Sequence, residues 1–119
     1  MESFGNYIEK KRRDKNFTLT DIASKLKISV PYMSDIINGK RNPPDIKKLE
    51  ILSNILNLSR NERSKMFDLA GKAREQVSPD IVEYIMDDNN LMVRETIRNA
   101  QEKKLGNEFW IYVNEEIVK

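Results

Sequence analysis

Between Thr18 and Gly39 the apolar residues recur three and four positions apart in two short runs, each opened by a hydroxyl-bearing residue. Leu19, Ile22, Ala23 and Leu26 share one face of a helix over 19–27, and Met33, Ile36 and Ile37 share one face of a second over 30–37. Thr18, with Asp21 three residues on, and Ser29, with Pro31 in the first turn after it, are N-cap signals. Asn38-Gly39 closes the second run, with Gly39 expected in the left-handed position after the helix. Helices this short are marginal alone in water, so the pair must pack against each other and against further helices.

The rest of the chain supplies those helices, and strand signals are nearly absent. Phe4 and Ile8 mark a first helix over 3–15, broken at Asn16-Phe17. Lys40 to Pro44 is a basic turn, after which Ile46, Leu49, Leu52, Ile55 and Leu56 define a fourth helix from about Asp45. Ser59 caps a fifth that carries Met66, Phe67, Leu69 and Ala70. A polar stretch, Gly71 to Val77, separates this block from a tail, placing the expected boundary between 1–71 and 72–119. In the tail, Ser78-Pro79 is expected to open a helix with Ile81, Val82 and Ile85 on one side. Asp87 to Asn90 is a polar break, Leu91 to Lys104 a helix, Leu105 to Asn107 a turn, and Glu108 to Val118 the last helix. The expected fold is all-α: a five-helix domain followed by a short helical extension.

Composition narrows the chemistry. The 119 residues include no Cys and no His, so thiolate and imidazole metal sites and the usual general base are all missing. There is no Gly-rich phosphate loop and no nucleophile elbow. Asp87-Asp88-Asn89-Asn90 lacks the alternating spacing and terminal Glu of a calcium loop and reads as a solvated turn. No enzyme, cofactor or metal is expected. The longest apolar stretch, Phe109 to Val113, is far short of a membrane span, and MESFGNYIEKKRRDK has no apolar signal core; a cytoplasmic protein is expected. Residues 1–71 hold 14 Lys/Arg against 9 Asp/Glu, whereas 72–119 hold 7 against 10. A basic front therefore precedes an acidic back, as in a polyanion-facing module with an appendage facing something else. The run Lys10 to Arg13 reads as a solvated helix face.

A short helix with one apolar side leaves its polar side free, and its diameter suits the major groove of duplex DNA. Helix N-termini at Thr18 and Ser29 would offer backbone N–H groups to phosphate. The stretch TLTDIASKLKISVPYMSDIINGKRNPP resembles the lambda-repressor-like, Cro/CI-type (XRE) helix-turn-helix family. Ile22-Ala23, Leu26, Ile28-Ser29, Met33-Ser34, Ile36 and Asn38-Gly39-Lys40-Arg41-Asn42-Pro43 carry the likeness, over roughly residues 4–70. The resemblance implies that Val30, Pro31, Tyr32, Ser34 and Asp35, with Arg41 reaching the groove floor, face base edges. Thr18, Thr20, Ser29, Asn38 and Lys40 would meet the DNA backbone. For Tyr32, packing across the helix is an equal alternative.

Three features depart from the family pattern. Leu19 stands where many relatives have Gln. Ile37 stands where they often have Glu paired to an Arg of the first helix, which leaves Arg12 expected without that partner and turned to solvent or phosphate. Val30 to Asp35 hold no Arg, Asn or Gln, the best bidentate base readers. Phe109, Trp110, Tyr112 and Val113 are candidate interface residues, either folded back onto Met66, Phe67 and Leu69 or forming a dimer seam. The expected function is a sequence-specific DNA-binding regulator, a bacterial or phage repressor covering a promoter as a homodimer. The alternative is an antitoxin or phage accessory protein whose acidic extension binds a partner protein.

Overall fold

Side-chain caps set where most of the helices begin. Ser3, Thr18, Ser29, Asp45 and Ser59 each accept a hydrogen bond from the backbone N–H three residues on. That satisfies a donor which the helix itself cannot. The computed structural model describes residues 2–119, and among them the secondary structure is helical throughout, with no strand. The helices are α1 (Phe4–Asp14), α2 (Leu19–Leu26), α3 (Val30–Ile37), α4 (Ile46–Ile55), α5 (Arg60–Ala73), α6 (Val82–Met86), α7 (Leu91–Glu102) and α8 (Asn107–Ile117). A 3₁₀ turn, Asp88–Asn90, precedes α7.

Two compact units result, one ending at Val82 and the other spanning Glu83–Lys119. In the first, α1 packs on α3 and α5, and α2 packs on α3 and α4. Phe4, Tyr7, Ile8, Ile22, Ala23, Leu26, Met33, Ile36, Leu49, Leu52, Leu56, Met66, Phe67, Leu69 and Ala70 form its core. The apolar stripes of α1–α5 thus cover one another, and Met66 and Phe67 are fully buried in that core. The approach of α1 to α3 is close enough to require glycine. A Cβ on Gly5 would lie 1.9 Å from the Ile37 carbonyl oxygen.

The division falls after Val82 rather than after Gly71, because the polar stretch is tied back to the helical body. Helix α5 runs through Gly71 to Ala73. Gln76 N–H donates to the Gly71 carbonyl at 2.9 Å, and an Arg74 Nη donates to the Pro43 carbonyl at 2.5 Å. Ser78 does not cap a helix as its sequence context suggests; its hydroxyl donates to Asp68 on α5, and α6 begins only at Val82. Ile81 and Val82 consequently stay largely exposed instead of forming a buried stripe. Helix α2 ends one residue earlier than the periodicity indicates, with Lys27 in the left-handed conformation at φ 58°.

In the second unit Arg94 is the organising side chain. It donates to the Ile85 carbonyl at 2.8 Å and pairs with Asp88 at 2.9 Å, linking α6, the 3₁₀ turn and α7. Phe109 and Trp110 meet edge to face on α8, with ring centroids 4.8 Å apart. They and Val113 are half-buried, while Tyr112 is 60% exposed. Ala100 is the one buried apolar residue among the described residues of this unit.

Candidate nucleic-acid interface

The second of the paired helices, α3, has two unlike sides because its period places Met33 and Ile36 inward. Both are fully buried or nearly so, and Ile37 packs against the same core. Val30, Pro31 and Tyr32 lie outward and exposed, with Ser34 and Asp35 partly so. Thr18, Thr20, Ser29, Asn38, Lys40 and Arg41 are exposed as well. The eleven candidate residues therefore surround one outward helix, some on it and the rest on its two flanks.

At the leading flank, Thr18 and Asp21 form a capping box: Thr18 Oγ accepts from Asp21 N–H at 3.0 Å, and Asp21 accepts from Thr18 N–H at 3.2 Å. Hydrogen bonds from Thr18 hold the Asp21 carboxyl below the usual carboxylate range. This leaves the amides of Leu19 and Thr20, which have no acceptor within the helix, pointing from its N-terminus. On α3, Ser29 Oγ accepts from Tyr32 N–H at 3.1 Å and Pro31 has no N–H, so Val30 carries the corresponding amide. The two N-termini together offer a narrower set of donors than bare helix ends would.

The trailing flank is more tightly built. Gly39, at φ 77°, turns the chain so that Lys40 and Arg41 N–H groups both donate to the Asp35 carbonyl, at 2.8 and 3.3 Å. Asn38 donates to Ser34 Oγ at 3.4 Å. The Arg41 guanidinium lies over the Tyr32 ring, 4.6 Å from its centroid, and its Nε is 3.6 Å from an Asp35 carboxylate oxygen. Tyr32 is thus neither a core residue nor a free one: the residue is 39% exposed and its ring supports Arg41 on one face. A polar concavity beside this cluster is lined by Tyr32, Gly39, Lys40, Arg41, Asn42 and Arg74.

Arg74 was not visible as a site residue in the sequence. It lies 31 positions from Pro43, whose carbonyl it binds, and only the docking of α5 brings it beside Lys40 and Arg41. The expectation for Arg12 is overturned. Glu9 on its own helix takes the place of the missing partner at position 37, bonding Arg12 Nε at 3.0 Å and pairing with its Nη2. Arg12 Nη1 also donates to the Phe17 carbonyl at 2.7 Å. Lys11 is likewise engaged, with Glu62 on α5. Arg13, although exposed, also pairs with Glu9 at 3.2 Å, and Lys10 is exposed.

A family model described as helix-turn-helix matches residues 8–62. Those residues are a helix-turn-helix domain of the lambda-repressor-like, Cro/CI (XRE) type. Helices α2 and α3, the short pair joined by a tight turn, lie wholly within the matched span. The match supports a DNA-binding transcription regulator of the XRE type. No curated protein and no solved structure gives a significant match to the chain. Among the described residues no helix is long and apolar enough to cross a membrane, and no group of three His, Cys, Asp or Glu side chains could hold a metal ion.

Proposed function

We propose that the protein is a sequence-specific repressor, of the kind bacteria and phages use, that blocks a promoter by occupying it as a two-fold dimer. The observation that carries this reading is the uncovered outer side of α3, flanked by Lys40, Arg41 and Arg74. An outward helix supplies directional contacts to base edges, and adjoining cations supply attraction to phosphate. Val30, Pro31, Tyr32, Ser34, Asp35 and Arg41 are the proposed base-side residues. Thr18, Thr20, Ser29, Asn38 and Lys40 are the proposed backbone contacts.

One such domain buries only about 600–1,000 Å² on DNA, so useful affinity calls for two copies. A dimer sets its recognition helices roughly 34 Å apart, one turn of a pseudo-palindromic site. Residues 83–119 are the proposed seam. They leave Tyr84, Met86, Met92, Ile111, Tyr112 and Ile117 exposed, more apolar surface than so small a unit normally shows water. The same surface, on a segment with five Lys/Arg against eight Asp/Glu, supports the second reading, in which the extension binds a partner protein. The protein acts in the compartment that holds the DNA, the cytoplasm of a bacterial cell.

Salt titration of duplex binding separates the readings. A repressor selects a motif from random duplexes, and its affinity for that motif falls steeply as salt rises, because each phosphate contact releases counterions. Weak affinity that ignores sequence would instead favour the partner-binding role. Sizing of the free protein across a concentration series reports the dimer.

A further inference from the structure

The base-side set above contains Asp35, a carboxylate that would face a polyanion, and the geometry gives it a different task. We infer that Asp35 and Tyr32 together aim Arg41 at a guanine, and that Asp35 itself reads no base. This rests on the DNA-binding reading and assigns a division of labour within it.

Three contacts converge on Arg41. Its own backbone N–H is bonded to the Asp35 carbonyl, which fixes the root of the side chain. The guanidinium carbon sits over the Tyr32 ring, 4.6 Å from its centroid, which limits how far the group can swing. The Nε lies 3.6 Å from an Asp35 carboxylate oxygen, an ion pair that biases the guanidinium toward this orientation. An arginine carries large rotamer entropy, and holding it before DNA arrives removes that cost from the binding step. With Nε turned to Asp35, the two terminal Nη groups remain as parallel donors. Guanine presents O6 and N7 as parallel acceptors in the major groove, and a guanidinium end matches them with two hydrogen bonds.

Charge distinguishes this from a phosphate grip. The Asp35–Arg41 pair carries close to zero net charge, so it gains little from the field of the duplex and its worth lies in directed hydrogen bonds. Lys40, the adjacent exposed cation, has no such carboxylate partner among the described residues and suits phosphate. Pairing also removes the repulsion that an isolated Asp35 would suffer in the groove. Arg41 remains reachable, its side chain being 54% exposed.

The test is motif selection from random duplexes with the full-length wild-type chain, Asp35→Ala, Arg41→Lys and the double variant, each first matched to wild type by circular dichroism. Wild type is expected to select a G·C pair whose replacement weakens binding roughly 5- to 100-fold. Asp35→Ala and Arg41→Lys should each erase the preference at that same pair and leave the others intact, and the double variant should be no worse than either. A rise in affinity of Asp35→Ala for all duplexes alike would overturn the inference, since the carboxylate would then merely repel phosphate. So would a changed preference at a different pair, the mark of a direct cytosine reader. Salt-sensitive duplex binding by wild type without any enriched motif overturns the aiming of Arg41 and leaves DNA binding standing. No duplex binding at all overturns both.

Discussion

Replacing Gly5 by alanine sets two opposing effects against each other at the seam between α1 and α3. In an exposed helix the change gains stability, at most about 1 kcal/mol and less in the first turn, because alanine has the higher helix propensity. Here the new Cβ would lie 1.9 Å from the Ile37 carbonyl oxygen, 2.6 Å from its carbon and 2.9 Å from its Cα, all under the 3.0 Å that real contacts respect. The obstacle is backbone, so no side chain can swing aside and the two helices must part. Overpacking costs about 1–3 kcal/mol, and a backbone-on-backbone clash belongs at the upper end. The net expectation is a loss of about 2 kcal/mol, which lowers Tm by roughly 10 °C in a domain of this size. Thermal unfolding followed by circular dichroism measures it. Because Ile37 closes the recognition helix, duplex affinity should also fall at temperatures where the variant is still folded. An unchanged or raised Tm would mean that the seam is loose and that helix propensity decides the outcome.

Gly39→Val should destabilise by about 1–2 kcal/mol through the left-handed backbone alone, since nothing lies within 4 Å of the position; a Tm equal to wild type would contradict this. The Glu62 carboxylate accepts from Lys11 and from the Ser59 amide, and hydrogen bonding to Lys11 and Ser59 lowers it from 4.5 to about 2. A depressed folded pKa adds stability above the unfolded value that is lost as pH falls from about 4.5 towards about 2, so Glu62→Gln should flatten the Tm-against-pH curve in that window. Identical curves for the two proteins would rule that out. Arg74→Ala should lower the salt slope of duplex binding by about one if Arg74 meets a phosphate. An unchanged slope would restrict Arg74 to tethering the loop at Pro43.

The residues that could be read in advance are those whose role is local. Thr18 and Ser29 cap because a hydroxyl three residues ahead of an amide is placed by the chain itself, and Gly39 takes a positive φ because the helix must end there. The inward stripe of Met33 and Ile36 follows from helical period alone. Arg12 departs from its sequence expectation for the complementary reason. The family pattern looked across helices to position 37, whereas Glu9, one turn back on the same helix, supplied the carboxylate. Ser78 departs from its expected cap role because its hydroxyl meets a tertiary partner, Asp68, at a position where no buried apolar stripe supports a helix start.

Periodicity and capping therefore determined, from the chain alone, that five helices form near the positions they occupy and that α3 has an outward polar side. Each of those outcomes depends on neighbours within one or two helical turns. The close contact of Gly5 with Ile37, the arrival of Arg74 beside Lys40 and the seating of Arg41 between Tyr32 and Asp35 were settled only when the helices packed. Those placements depend on inter-helix distance and angle, which are set by the summed fit of the whole core and are written in no single stretch of residues.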